Sequence, residues 1–125
     1  GLIVSHLPYG PTAFFTLHNV LLRHSLKDKD LPGVSQAAPH LVFHNFTTDL
    51  GDRVSKILKF LFAVPNYDSK RTVSFYNSND IISLRHHTYK QDSNNKKVTL
   101  TELGPRMDLQ RNSMLEILLI KKIIL

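Results

Sequence analysis

Arg85-His86-His87-Thr88-Tyr89-Lys90 sets cationic groups and flat rings side by side along one short stretch. That mixture suits single-stranded or looped RNA. Guanidinium and ammonium groups meet phosphates, and imidazole and phenol rings stack on bases. Lys96 and Lys97 follow in a polar stretch, and Arg106 lies beyond them. A separate basic group, Arg53, Lys56 and Lys59, has the spacing of a solvated helix face and is read as one.

Other chemistry finds little support. The chain has 7 histidines. His40 and His44 are four apart, which on a strand puts both on one face but too far apart to share one metal ion. No zinc-ligand spacing surrounds them or the adjacent His86-His87, so no metal site is expected. Leu7-Pro8-Tyr9-Gly10-Pro11-Thr12 reads as a strand-to-helix turn whose amides could face a phosphate. It lacks the glycine spacing and the Lys-Ser/Thr pair of a P-loop. No Gly-x-Ser-x-Gly elbow is present. Asp49 and Asp52 are read as helix-start acids favoured by the dipole, not as a catalytic pair. The expectation is a non-enzyme with no cofactor and no small-molecule substrate.

The elements that must position these residues follow from periodicity. Gly1–Leu7 is apolar and reads as a buried strand. Thr12 sits where an N-cap belongs, and Ala13, Phe14, Leu17, Val20 and Leu21 have helical spacing through His24. Ser25–Pro39 is a loop with alternating charges and a Pro-Gly turn. Leu41–Phe43 is a second strand. A helix opens at Asp49, carries Val54, Ile57, Leu58, Leu61 and Phe62 on one face, and is stopped by Pro65. Arg71–Tyr76 is a strand, and residues 77–80 form a turn. Ile81–Tyr89 reads as a strand, with a short helix as the alternative. Gln91–Lys97 is a turn, and Val98–Leu103 is a strand ended by Gly104-Pro105. The apolar run from Met114 to Leu125 fits neither period. The order β-α-β-α-β-β-β predicts an α/β fold with a mixed (α+β) sheet.

Composition agrees with a single folded domain. The chain has 125 residues, 42% of them hydrophobic. Lys and Arg number 16 against 10 acidic residues, a formal charge of +6 that favours a polyanionic partner. Cysteine is absent, which excludes disulfides and thiolate metal sites and fits a reducing compartment. The apolar stretches are too short to cross a bilayer as a helix, so no membrane partner is expected.

Several stretches together resemble the Brix-domain family. Residues 1–15, from Gly1-Leu2-Ile3-Val4-Ser5 to Ala13-Phe14-Phe15, resemble its strand-turn-helix entry. Pro39-His40-Leu41, Leu50-Gly51-Asp52-Arg53-Val54, Leu61-Phe62-Ala63-Val64-Pro65 and Ile81-Ile82-Ser83-Leu84-Arg85-His86-His87 continue in the family's order. Leu100-Thr101-Glu102-Leu103-Gly104-Pro105-Arg106 resembles its sigma-like motif, whose core here is Gly104, Pro105 and Arg106. The resemblance implies a fold like the anticodon-binding domain of class II aminoacyl-tRNA synthetases, with two similar α/β halves. Residues 1–109 would hold the end of the first half and the start of the second, a partial Brix domain. Residues 110–125 would form a divergent apolar tail.

The resemblance further implies a nucleolar ribosome-biogenesis factor that is not itself a nuclease. Its partners would be small nucleolar RNA, precursor rRNA of the small subunit and other proteins of the small-subunit processome. The RNA surface would then comprise Arg85, His86, His87, Tyr89, Lys90, Lys96, Lys97 and Arg106. Three alternatives stay open: a protein-interaction scaffold in the same particle, a relative serving large-subunit assembly, and a fragment with no activity of its own.

Overall fold

The computed structural model describes residues 1–7, 10–26, 32–94 and 96–111. Among them, seven strands and one α-helix follow in the order β1 (Leu2–Ser5), β2 (Thr12–Leu21), β3 (His40–His44), α1 (Asp49–Lys59), β4 (Arg71–Ser78), β5 (Ile81–Gln91), β6 (Val98–Glu102) and β7 (Arg106–Arg111). The strands form one mixed sheet in the order β1-β2-β7-β5-β4-β3, with β6 also on β5. The mixed α/β class expected from the sequence is the observed one. β3 and β4 are parallel and joined through α1, and every other pairing is antiparallel.

One face of the sheet is apolar, and α1 covers it. Val4, Ala13, Phe15, Val73, Phe75, Ile82 and Leu109 meet Val54, Ile57 and Leu58 of the helix in a single core. Each fully buried side chain of this size stabilises the fold by about 1.5–3 kcal/mol. The helix is well terminated. Thr48 Oγ1 accepts from Gly51 N at 2.9 Å, Asp49 and Asp52 occupy the first turn, and Lys56 and Lys59 the last. Arg53, Lys56 and Lys59 are exposed, as expected of a solvated face.

Several expectations are corrected. Residues 12–21 form strand β2 and not a helix. Thr12 caps nothing: its Oγ1 lies 2.8 Å from Ser5 Oγ across the β1–β2 ladder. Ala13, Phe15 and Leu17 face the core at period 2, and Phe15 is buried although it lies off the helical stripe. The Leu7–Thr12 segment therefore joins two antiparallel strands, with His6 N donating to Pro11 O at 3.0 Å.

β1 is a half-exposed strand at the sheet edge, with Val4 buried and Ile3 open to solvent. α1 ends at Lys59, before Pro65 can act, so Leu61 points outward while Phe62 still packs on the core. β7 went unassigned in the sequence reading, yet it pairs with both β2 and β5. The turn after β4 is shorter than expected. Asn79 and Asp80 both have positive φ, the geometry of a two-residue hairpin. The apolar run Met114–Leu125 lies outside the described residues.

Candidate RNA interface on the open sheet face

β5 distributes the candidate residues by simple alternation. Ile82, Leu84 and His86 face α1 and the core, whereas Ser83, Arg85, His87 and Tyr89 face the other way. The cross-strand neighbours of that second set are Tyr76, Ser74 and Thr72 on β4, and Glu102 and Leu100 on β6. His40, Val42 and His44 of β3 continue the same face. Among the described residues no helix packs on it. It is a broad polar surface carrying rings and cations.

His86 departs from the expected RNA surface. It is 7% exposed, and both ring nitrogens are engaged. Arg71 Nε donates to His86 Nε2 at 3.1 Å, so Nδ1 carries the proton that bonds Gly104 O at 2.9 Å. Burial pushes its pKa below the ordinary imidazole value. The hydrogen bond to Gly104 O opposes that shift, and the charges of Arg71, His87 and Arg23 reinforce it. Arg71 also donates to Ser35 O and Ala37 O, each at 2.7 Å. Arg23 bridges Leu103 O at 2.9 Å and Pro32 O at 2.7 Å. His86 is thus the centre of a buried polar node, and its role is to fix the chain around Gly104-Pro105-Arg106.

That motif is where one long strand is broken in two. Between the pairs His87↔Glu102 and Leu84↔Met107, β5 advances three residues and the opposing chain five. Two extra residues are accommodated as a local bulge. Gly104 has φ +62, and a Cβ there would lie 3.1 Å from Leu26 Cδ1 and 3.2 Å from Arg23 Cα, so both backbone conformation and close approach favour glycine. The bulge lets β6 and β7 occupy successive stretches of the same β5 edge. One register step beyond Leu84↔Met107 sets Arg106 beside Arg85.

The two arginines are already partly neutralised. Arg85 Nη1 lies 3.5 Å from Asp108 Oδ1 and donates to Leu84 O at 2.8 Å. Asp108 also accepts from Asn19 and Ser83, each at 3.0 Å, and these bonds with the Arg85 charge hold its carboxyl below the usual range against the cost of burial. Arg106 Nε lies 3.5 Å from Glu102 Oε1, an ion pair without hydrogen-bond geometry.

The lysines are different. Lys70, Lys90, Lys96 and Lys97 are exposed and form no ion pair among the described residues. Lys90, Lys96 and Lys97 cluster where β5 turns into β6, a turn closed by Asp92 N on Lys97 O and Lys96 N on Asp92 O, both at 3.0 Å.

Rings gather at the same end of the open face. Tyr89 is anchored by its hydroxyl, which donates to Ser69 O at 3.0 Å, and the Lys70 ammonium sits 5.5 Å from its ring centroid. A shallow groove of about 530 Å³ runs past it, lined by His40, Val42, Tyr67, Asp68, Lys70, Thr72, Tyr89 and Gln91. Toward the other end of β3 and β4, His44 and Tyr76 stack at 4.9 Å. The sequence reading did not single out Tyr67, Lys70, Tyr76 or Asp108 for the site. Strand pairing places Tyr76 and Asp108, and the chain leading into β4 places Tyr67 and Lys70. Among the described residues no three metal-ligating side chains converge, and no helix is long and apolar enough to cross a membrane.

Comparison with known proteins gives the surface its context. The Brix domain profile matches residues 1–112. The chain is 56% identical over 110 residues to the U3 small nucleolar ribonucleoprotein protein IMP4 of Bos taurus, covering 88% of this chain. It is 54% identical over 110 residues to the Homo sapiens protein of the same name, and 46% over 111 residues to that of Schizosaccharomyces pombe, each again over 88% of this chain. The chain spans 37% of the length of each of these relatives.

Proposed function

This chain belongs to the Brix-domain family, and on that premise we propose that it is an RNA-contacting part of a ribosome-biogenesis factor. The particle would be the small nucleolar ribonucleoprotein that the relatives' names specify, acting in the nucleolus on precursor rRNA of the small subunit. The observation that carries the reading is the open sheet face together with the unpaired lysines of the β5–β6 turn at its end. Lys90, Lys96 and Lys97 supply phosphate contacts, His87 and Tyr89 supply flat rings, and Arg85 and Arg106 add directional donors once their carboxylates are displaced or shared. His86 positions the bulge behind them. No step of bond chemistry is assigned to the chain.

The test is a titration of the full 125-residue chain with small-subunit precursor rRNA and with the small nucleolar RNA, at low and moderate salt. Phosphate contacts make affinity fall steeply with salt. A folded chain that binds neither RNA contradicts the proposal.

A second reading has its own observation. Leu7, Phe60, Leu61 and Val64 are exposed at 78%, 65%, 54% and 89%. Large apolar side chains in the open mark protein contacts. A processome protein docking there would give binding that responds weakly to salt, which separates the two readings.

A further inference from the structure

We propose that the groove beside β3, β4 and β5 is a subsite for one unpaired base of single-stranded RNA, with Tyr67 as its stacking platform. The inference rests on the RNA-contacting reading above and adds to it a place and a preferred strand state.

Two observations converge on the groove. Tyr67 is 102% exposed, as open as a side chain can be, and folding gives no reason to hold a phenol ring there. A base stacking on it would bury an apolar surface that the fold leaves wet. Tyr89 also lines the groove, held in place at both its hydroxyl and its backbone amide by Ser69 O and Lys70 O. A wall fixed in this way loses little freedom when a ligand enters.

Charge and size fit the same occupant. Lys70 stands at the groove with its ammonium near the Tyr89 ring, placed to meet the phosphate of the nucleotide whose base enters. Lys96 and Lys97 are exposed at the adjoining β5–β6 turn. Asp68, the one acid in the lining, suits an exocyclic amino group and disfavours a phosphate deep in the groove. The volume of about 530 Å³ falls within the roughly 300–1,000 Å³ of small-ligand clefts. A base held in a duplex has both faces stacked and cannot enter, so the groove selects single strands, loops or bulges.

The experiment compares the full chain with its Tyr67→Ala and Tyr67→Phe variants, using a labelled single-stranded RNA oligonucleotide and a duplex of the same sequence. Because Tyr67 makes no buried contact, both variants keep the wild-type unfolding midpoint. Tyr67→Ala is expected to weaken single-strand binding about 5- to 150-fold, the affinity equivalent of one stacked base. Tyr67→Phe keeps it, and duplex affinity stays unchanged for all three proteins. Photo-crosslinking of a thiouridine-bearing oligonucleotide should map to Tyr67 or Tyr89.

Unchanged single-strand affinity in Tyr67→Ala, while loss of Lys90, Lys96 and Lys97 still weakens binding, overturns the subsite and leaves the RNA-contacting reading standing. Equal losses for single strand and duplex also overturn it, since stacking on a free base would not act on both. A folded wild-type chain that binds no RNA overturns both readings together.

Discussion

His86 and His87 are neighbours in sequence with the same side chain, and the fold gives them opposite work. His86 points into the helix-covered side, where it is buried and hydrogen-bonded at both nitrogens. His87 points to the open face, level with Thr72 and Glu102. The same division runs along the whole of β5. Its inward residues hold the protein together, and its outward residues are available to a partner. Residue type alone does not separate a structural histidine from a binding one, but strand parity does. A one-residue slip in register would exchange the two roles.

The comparison predicts large stability effects and no direct RNA effect on the inward side. Phe75→Ala, which empties the centre of the core, should cost about 3–5 kcal/mol in a denaturant titration. Arg71→Ala strips the donor from His86 Nε2, Ser35 O and Ala37 O and should cost roughly 1–3 kcal/mol. Its RNA affinity, measured where the variant is fully folded, should match wild type.

The inward node also predicts a pH dependence. His86 has a folded-state pKa below its ordinary value of 6.5, so the unfolded chain binds more protons in the interval between the two. Its contribution to stability is therefore complete above about pH 6.5 and is lost as pH falls through that interval. Urea midpoints at pH 7.5 and 5.5 should differ more for wild type than for His86→Leu. An equal difference would mean that the node is not titrating as described.

Substitutions of the exposed cations should behave in the reverse manner. Replacing Lys90, Lys96 and Lys97 by Gln should leave the unfolding midpoint almost unmoved and should flatten the dependence of log affinity on log salt by about two. Arg85→Gln with Arg106→Gln should do the same to a smaller degree, because each arginine already faces a carboxylate at 3.5 Å. If the arginine pair outweighs the lysines, the ion pairs with Asp108 and Glu102 must open on binding.

The sequence made the helix and most strands readable because their signals agree. In α1, Val54, Ile57 and Leu58 keep the 3.6 period, and acids and lysines sit at the ends that the dipole favours. β2 misled because its apolar residues satisfy two periods at once. Phe14, Leu17 and Leu21 have helical spacing, while Ala13, Phe15 and Leu17 alternate. Pairing with β1 and β7 decides between them, and that is a long-range fact.

The site was legible in part. The cluster from Arg85 to Lys90 is visible as composition, and the alternation of β5 would have assigned His86 to the inside with Ile82 and Leu84. The damping of Arg85 by Asp108 depends on pairing between β5 and β7, and the meeting of Tyr67 and Tyr89 at one groove on where the chain before β4 runs, which no local pattern encodes.

The most direct test of the central claim, that RNA lies across the open face and the lysine-bearing turn, is the salt dependence of RNA affinity for wild type beside the Lys90, Lys96 and Lys97 triple variant. The account predicts a steep dependence for wild type and a shallower one for the variant, with equal unfolding midpoints. Two parallel lines of equal affinity would contradict it and would place the contact elsewhere on the molecule.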